Sequence, residues 1–245
     1  MPLLATEAVS HSFGGLKALD AVDLTCEAGC VTGLIGPNGA GKTTLFNVVC
    51  GLHAPASGRV MLDETDVTRL KTHQRAHRGL ARTFQRLEVF GSLTARENVL
   101  TAAEIRRSWS HDGSDPKAIT EEVLDRVGLR AVADEQVDTL PTGMARLVEV
   151  GRALATRPRV LLLDEPSSGL DEGESDELGR LLLDLANDGL AILMVEHDVE
   201  LVMQACRTIY VLDFGRVIAV GTPTEIQRNP EVQAAYLGAG ADDGA

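Results

Sequence analysis

The stretch that most limits how this chain can fold runs from Gly33 to Cys50, GLIGPNGAGKTTLFNVVC. An apolar segment, Val31 to Ile35, reads as a strand feeding a glycine-rich loop, and a helix begins near Thr43. Between them, Gly36, Pro37, Asn38, Gly39, Ala40, Gly41, Lys42 and Thr43 fit the G-x-x-x-x-G-K-[ST] phosphate-binding pattern, with Thr44 following. The order matters chemically. Glycines let successive backbone N–H groups converge on anionic oxygens, and the helix N-terminus adds roughly half a positive charge there. Lys42 is then placed to reach the β- and γ-phosphates of a nucleotide and Thr43 to hold Mg²⁺. Taken alone, the motif also fits a glycine turn before a buried helix.

The chain has 245 residues, 44% of them apolar, enough for one large α/β domain or a core with a small subdomain. A formal net charge of −13 argues against bulk affinity for nucleic acid or anionic lipid, so phosphate binding has to be local. Cys26, Cys30, Cys50 and Cys206 form no CxxC pair, which speaks against a metal cluster and for buried thiols in a reducing compartment. A Cys26–Cys30 bridge across the intervening turn is the alternative. The N-terminus lacks the charge pattern of a leader, and no run approaches about 18 apolar residues, so the expectation is a cytosolic chain that meets a membrane through a partner.

Leu3 to Phe13 and Ala18 to Cys26 read as an antiparallel strand pair around Gly14-Gly15. Phe13 is either a core residue at a strand end or a platform on which a nucleotide base stacks. Gly51 closes the first helix, Arg59 to Asp63 reads as a short strand, and Thr68 as the N-cap of a helix over 69–78. From Val67 to Leu87 there are six basic residues (Arg69, Lys71, Arg75, Arg78, Arg82, Arg86) and no acidic ones. A solvated face is the plainer reading, and a docking face for a membrane partner the sharper one. Gln85 follows the strand-like Leu80 to Phe84, where it is placed to coordinate Mg²⁺ or the attacking water.

Thr94 to Glu97 forms a capping box that opens a helical region to about Val137, interrupted by a polar loop from Arg106 to Pro116 that includes Trp109. Asp115-Pro116 starts the next helix, with Ile119, Val123 and Val127 as its apolar stripe. Leu140 to Met144 leads into a helix reaching about Thr156. The apolar run Val160 to Leu163 fits a parallel strand buried on both faces, and it delivers Asp164 and Glu165. Carboxylates at that end of an open α/β sheet stand where ligands bind. Asp164 is expected to hold Mg²⁺ through water and Glu165 to polarise the water that attacks the γ-phosphate. Asp171 opens another helix, Leu190 to Val195 delivers Glu196, His197 and Asp198, and strands follow near 208–212 and 216–220. Thr222 to Glu225 is a second capping box, Asn229-Pro230 starts a last helix, and the acidic end from residue 238 reads as a frayed tail.

In this order and spacing, the pieces resemble the nucleotide-binding subunit of ATP-binding cassette (ABC) transporters over nearly the whole chain. The resemblance puts the adenine-stacking residue at Phe13, Walker A at 36–43, the Q-loop at Gln85, the signature at 140–144, Walker B at 160–165, the D-loop at 168–171 and the switch histidine at His197. Ala81 to Gln85, Val195 to Asp198 and Asn229 to Leu237 look most like the branched-chain amino acid importer ATPases. What it implies is an α/β P-loop NTPase (RecA-like) core with an N-terminal antiparallel β subdomain and an inserted α-helical subdomain, a single domain over 1–237. Its core would comprise 1–88 and 158–229, and the helical subdomain 89–157.

The implied activity is ATP hydrolysis with Mg²⁺, coupled to transport. Glu165, His197, Gln85 and Lys42 carry the chemistry; residues 36–44 and Phe13 bind the nucleotide; Thr43, Gln85 and Asp164 hold the metal. The implied partners are transmembrane permease subunits, a second ATPase subunit and, indirectly, a solute-binding protein, with the chain peripheral on the inner face of the cell membrane and no nucleic acid involved. In such cassettes ATP lies between the Walker A of one subunit and the signature of the other. The family's signature is Leu-Ser-Gly-Gly-Gln, whereas this chain has Leu140, Pro141, Thr142, Gly143 and Met144. Proline removes both hydroxyl and N–H, leaving Thr142, Gly143 and the D-loop Asp171 to face the partner's nucleotide. An asymmetric heterodimer is therefore favoured over a homodimer. A lipid or polysaccharide exporter ATPase and a soluble cassette of the iron–sulfur assembly type are the alternative readings.

Overall fold

A computed structural model of the chain describes residues 2–239. The first two strands, β1 (Pro2–Phe13) and β2 (Leu16–Glu27), pair antiparallel around the Gly14-Gly15 turn, as their alternation predicts. With β4 (Ser57–Leu62) and β5 (Thr65–Asp66) they form a four-stranded sheet in the order β2-β1-β4-β5.

The second sheet is built from β3 (Val31–Ile35), β6 (Leu80–Arg82), β7 (Val160–Asp164), β8 (Ala191–Val195), β9 (Thr208–Asp213) and β10 (Arg216–Gly221), in the order β10-β9-β3-β8-β7-β6. All its pairings are parallel except that of β10 with β9. β3, β7 and β8 are buried along their whole length, which explains their uninterrupted apolar sequences. Their side chains still alternate between two cores. Leu161 and Leu163 of β7, with Ile192 and Met194 of β8, face one core; Val160 and Leu162, with Ala191, Leu193 and Val195, face the other.

The second of these cores holds α1 (Lys42–Cys50), whose Leu45, Phe46, Val48 and Val49 are buried between the two sheets. On the far face lie α5 (Thr142–Ala155), α6 (Glu172–Asn187) and α7 (Val199–Ala205). α3 (Ala95–Ser110) and α4 (Pro116–Arg126) pack beside α5 through Val99, Ala103, Ile119 and Val123. The capping residues read from sequence at Thr94, Asp115, Asp171 and Thr222 each accept a backbone N–H of the helix they open. The short helices α2 (Thr72–Ala76), α8 (Pro223–Gln227) and α9 (Pro230–Ala239) complete the described residues. No helix among those residues is long and apolar enough to cross a membrane.

Four local expectations are corrected. α3 continues through the segment 106–110 expected to be a loop, because Arg106 turns inward to pair with Asp112 and Ser114 while Trp109 stacks on His77 at 4.4 Å. Tertiary contacts there outweigh local polarity. Thr68 does not cap a helix: its hydroxyl accepts the Val60 N–H at 2.9 Å, which pins the segment to β4, and α2 begins only at Thr72. The basic run is not a uniform solvated face, since Arg75 is buried and the Arg82 side chain is only 7% exposed. Residues 238 and 239 belong to α9 rather than to a tail, and residues 240–245 lie outside the described residues.

All four cysteines are buried and unpaired. Burial pushes the thiols of Cys26 and Cys206 up to about 12, so they behave as small core hydrophobes.

Candidate functional site

The loop after β3 wraps the start of α1 in the manner the glycines permit. Gly36, Gly39 and Gly41 have φ of 151°, 78° and 108°. A Cβ on Gly41 would stand 2.6 Å from the Ala18 carbonyl oxygen, and one on Gly36 would drive into that of Leu212. Gly36→Ala is accordingly expected to cost about 2 kcal/mol or more, from left-handed strain together with backbone collision, and to abolish nucleotide binding. Thermal melting with and without nucleotide checks both halves.

Lys42 is buried and its ammonium donates to the Gly36 and Pro37 carbonyls at 2.6 and 3.0 Å. Burial pulls its pKa down, while the Glu165 and Asp164 carboxylates oppose that shift.

A cavity of about 480 Å³ opens over this loop, lined by residues 38–44 together with Phe13, Lys17, Gln85, Glu165, His197 and Phe214. Phe13 is 49% exposed, at the end of β1, with its ring in edge contact with His11 and His53 at 4.6 and 5.4 Å. That exposure sets aside the core reading of Phe13 and leaves part of the ring surface open to the cavity.

Three strand ends converge at the inner wall of the cavity. Glu165 follows β7 in a left-handed conformation (φ 51°), and its N–H donates to the Val195 carbonyl at 2.9 Å. For a non-glycine residue this strain is sustained only by its surroundings. One carboxylate oxygen, Oε2, accepts the Gln85 amide at 2.9 Å, and the other, Oε1, lies 3.0 Å from His197 Nε2. Both oxygens are therefore shared between two neighbours. A carboxylate so held can accept a proton from a water brought against it, and His197 and Gln85 fix its direction.

Asp164, one residue earlier, is buried beneath this group and paired to Arg82 at 2.7 Å. Glu196 is buried too; its carboxylate accepts the N–H groups of Ser167 at 2.7 Å and His197 at 2.9 Å, which fixes the loops after β7 and β8.

Thr142, Gly143 and Asp171 are not brought to this cavity. Thr142 and Gly143 open α5, and both pack on their own chain. Glu174 crowds the Gly143 Cα, and the Thr142 methyl would stand 3.1 Å from a Cβ on Gly169. Asp171 caps α6. Arg82, Asn47, Arg146, Glu149 and Glu196 are the residues that sequence reading left unassigned. Arg146 donates to the carbonyls of Phe84 and Gln85 at 3.1 and 2.7 Å, and Glu149 accepts the Phe84 N–H at 3.1 Å, so α5 holds the Gln85 loop from behind. Burial pushes the Glu149 carboxyl up, with the Phe84 N–H and Arg146 opposing. A charged pair three residues apart inside a helix that is otherwise buried on that side was the available signal.

The comparisons with known proteins agree with this geometry. The family described as ABC transporter matches residues 19–168, and that described as branched-chain amino acid ATP-binding cassette transporter matches residues 216–242. The high-affinity branched-chain amino acid transport ATP-binding protein BraF of Pseudomonas aeruginosa is 38% identical, covering 97% of this chain and 98% of its own length. The lipopolysaccharide export system ATP-binding protein LptB of Haemophilus influenzae is 34% identical, with the same coverage of 97% and 98%. Among solved structures, the ADP conformation of MJ1267, an ATP-binding cassette of an ABC transporter, superposes with a TM-score of 0.87. It is 32% identical and the match covers 97% of this chain and 99% of that one. This chain belongs to the ABC transporter family as an ATP-binding, ATP-hydrolysing subunit, and it is similar to the branched-chain amino acid transport ATP-binding proteins.

Proposed function

We propose that this chain energises a membrane importer of branched-chain amino acids or similar small solutes. The observation that carries the reading is the C-terminal match at residues 216–242. Reconstitution with a candidate permease pair and its solute-binding protein tests it: ATP-driven uptake of leucine, isoleucine or valine into vesicles supports it. Assembly only with lipid-exporting permeases would favour the second reading, which the likeness to LptB keeps in view.

Within the site, residues 36–44 and Lys42 cradle the phosphates, and Phe13 stacks on the base. Gln85 donates its amide to Glu165, which leaves its carbonyl oxygen for a metal ion. With the Thr43 hydroxyl, and with the buried Asp164 carboxylate acting through water, this would give oxygen donors of the kind that suit Mg²⁺. Bound there, the ion would neutralise charge on the phosphate oxygens. Glu165 takes the proton of the attacking water while His197 and Gln85 hold its carboxylate in line.

The signature loop lies away from this cavity, which suits a nucleotide shared between two subunits. Pro141 stands at the N-cap of α5 with no side-chain hydrogen bond to the helix, so the first N–H groups of α5 are free of a local cap. They face a partner's phosphates without the serine hydroxyl of the family motif. A heterodimer, with an intact signature opposite this chain's own Walker motifs, is the assembly that uses both facts, on the cytoplasmic face of the membrane beside its permease subunits. Alone, the purified chain is expected to hydrolyse ATP weakly and Pro141→Ser to raise the rate about tenfold; full activity of the unmodified homodimer would count against the asymmetric assembly.

A further inference from the structure

Arg82 stands where a charge is hard to keep. It ends β6, inside the protein, with its side chain 7% exposed and that of its partner Asp164 only 3% exposed. One nitrogen, Nη2, donates to Asp164 Oδ2 at 2.7 Å, and the other, Nη1, donates to Asn47 Oδ1 at 2.7 Å. The guanidinium lies over the Phe46 ring at 5.4 Å and the Phe84 ring at 4.8 Å, and its Nε is buried without a partner. Four elements meet at this one side chain: α1, β6, the start of the Gln85 loop and β7.

Structural ion pairs of this kind often lose as much to desolvation as they gain from attraction. Two apolar residues of matching shape would fill the space at less cost, and the phosphate loop and Glu165 make no direct use of Arg82. Its carboxylate partner is the residue assigned above to the metal, and this inference rests on that assignment. A buried carboxylate is costly unless it is hydrogen-bonded or paired, and Arg82 donates to that of Asp164. In this structure Arg82 is the positive partner of that carboxylate, and a divalent ion held by the same group would stand near a like charge that repels it.

We propose that Arg82 is a built-in counter-ion of Asp164 that sets how strongly nucleotide binding depends on a divalent cation. It acts through Asp164 as a positioning residue and touches neither nucleotide nor water. The guanidinium keeps the carboxylate aimed in the metal-free chain, and by occupying one of its oxygens it weakens the hold of the site on a metal. A metal-loaded site has less need of Arg82 than an empty one.

The test compares affinity for a fluorescent, non-hydrolysable ATP analogue with excess Mg²⁺ and with EDTA, and takes the ratio of the two. In Arg82→Met the ratio is expected to rise at least tenfold, while the melting temperature without nucleotide falls. Arg82→Lys, which keeps the charge, is expected to stay within about twofold of the unmodified ratio. A purely structural role would lower stability and leave the ratio where it was, and that result, or a lower ratio, overturns the proposal. If Arg82→Met does not fold, Arg82→Gln carries the same expectation with a polar side chain of similar reach. Asp164→Asn separates the two levels of the reading. Should it leave the ratio unchanged, Asp164 is not the metal residue; should it collapse the ratio while Arg82→Met does nothing, only the counter-ion role fails.

Discussion

Replacing Glu165 with glutamine is expected to lower ATP hydrolysis by about 10²–10³-fold while leaving nucleotide affinity within a few fold. Glutamine has nearly the same shape: its amide oxygen still accepts the Gln85 N–H, and its NH2 can donate to His197 Nε2 once the imidazole carries its proton on Nδ1, so both neighbours keep a partner. It cannot accept a proton. The loss therefore isolates proton transfer from positioning, and phosphate release measured beside equilibrium nucleotide binding reads the two apart. His197→Ala is expected to lose less, because it removes one of two groups that orient the carboxylate and leaves the base itself. Retention of more than a tenth of the rate in Glu165→Gln would assign the base elsewhere.

Arg75→Ala is expected to cost about 4 kcal/mol of stability, which for a chain of this size lowers the melting temperature by roughly 10 °C. Arg75 is 1% exposed, yet among the described residues it forms no ion pair with a carboxylate. Its guanidinium donates instead to four backbone carbonyls: Val48 at 2.7 Å, Val49 at 2.6 Å, Thr68 at 2.9 Å and Leu70 at 3.1 Å. Val48 and Val49 lie in the last turn of α1, where unpaired carbonyls gather partial negative charge. Burial pulls the Arg75 pKa down, but an arginine stays charged at any working pH. Alanine strands those acceptors and opens a cavity, and Arg75→Lys is expected to recover only part because a single ammonium does not span four oxygens. Since α1 carries Lys42 at its other end, nucleotide affinity falls in step. Denaturant unfolding and nucleotide titration check the pair of effects, and a stability loss below about 1 kcal/mol would refute the capping role.

What the sequence makes visible here is whatever repeats or sits beside itself along the chain. The phosphate loop, the buried run into Asp164 and Glu165, the capping boxes at Thr94 and Thr222 and the helix start at Asp171 all declare themselves through neighbours in sequence, and the structure has them in place. The convergence of Gln85, Glu165 and His197 follows once three strands are taken to run parallel with their ends together. Arg75 and Arg82 are a different case. Within a run of six like charges nothing local distinguishes the two that turn inward, because their partners are carbonyls of α1 and a carboxylate 82 residues away. Trp109 fails to announce its helix for the same reason: the ring it stacks on, His77, belongs to another part of the chain. The clasp of Arg146 and Glu149 on the Gln85 loop is likewise a pairing across more than 60 residues.

The burial of every cysteine has a practical side. With Cys26, Cys30, Cys50 and Cys206 all enclosed, and the acidity of Cys26 and Cys206 suppressed by their surroundings, the folded chain offers electrophiles almost nothing to react with. A single new cysteine on an exposed position away from the cavity, such as Val220 of β10, would be the reactive thiol of the molecule. Spin or fluorescent labels attached there would report the distance to a partner subunit through each stage of turnover, with the native thiols left as they are.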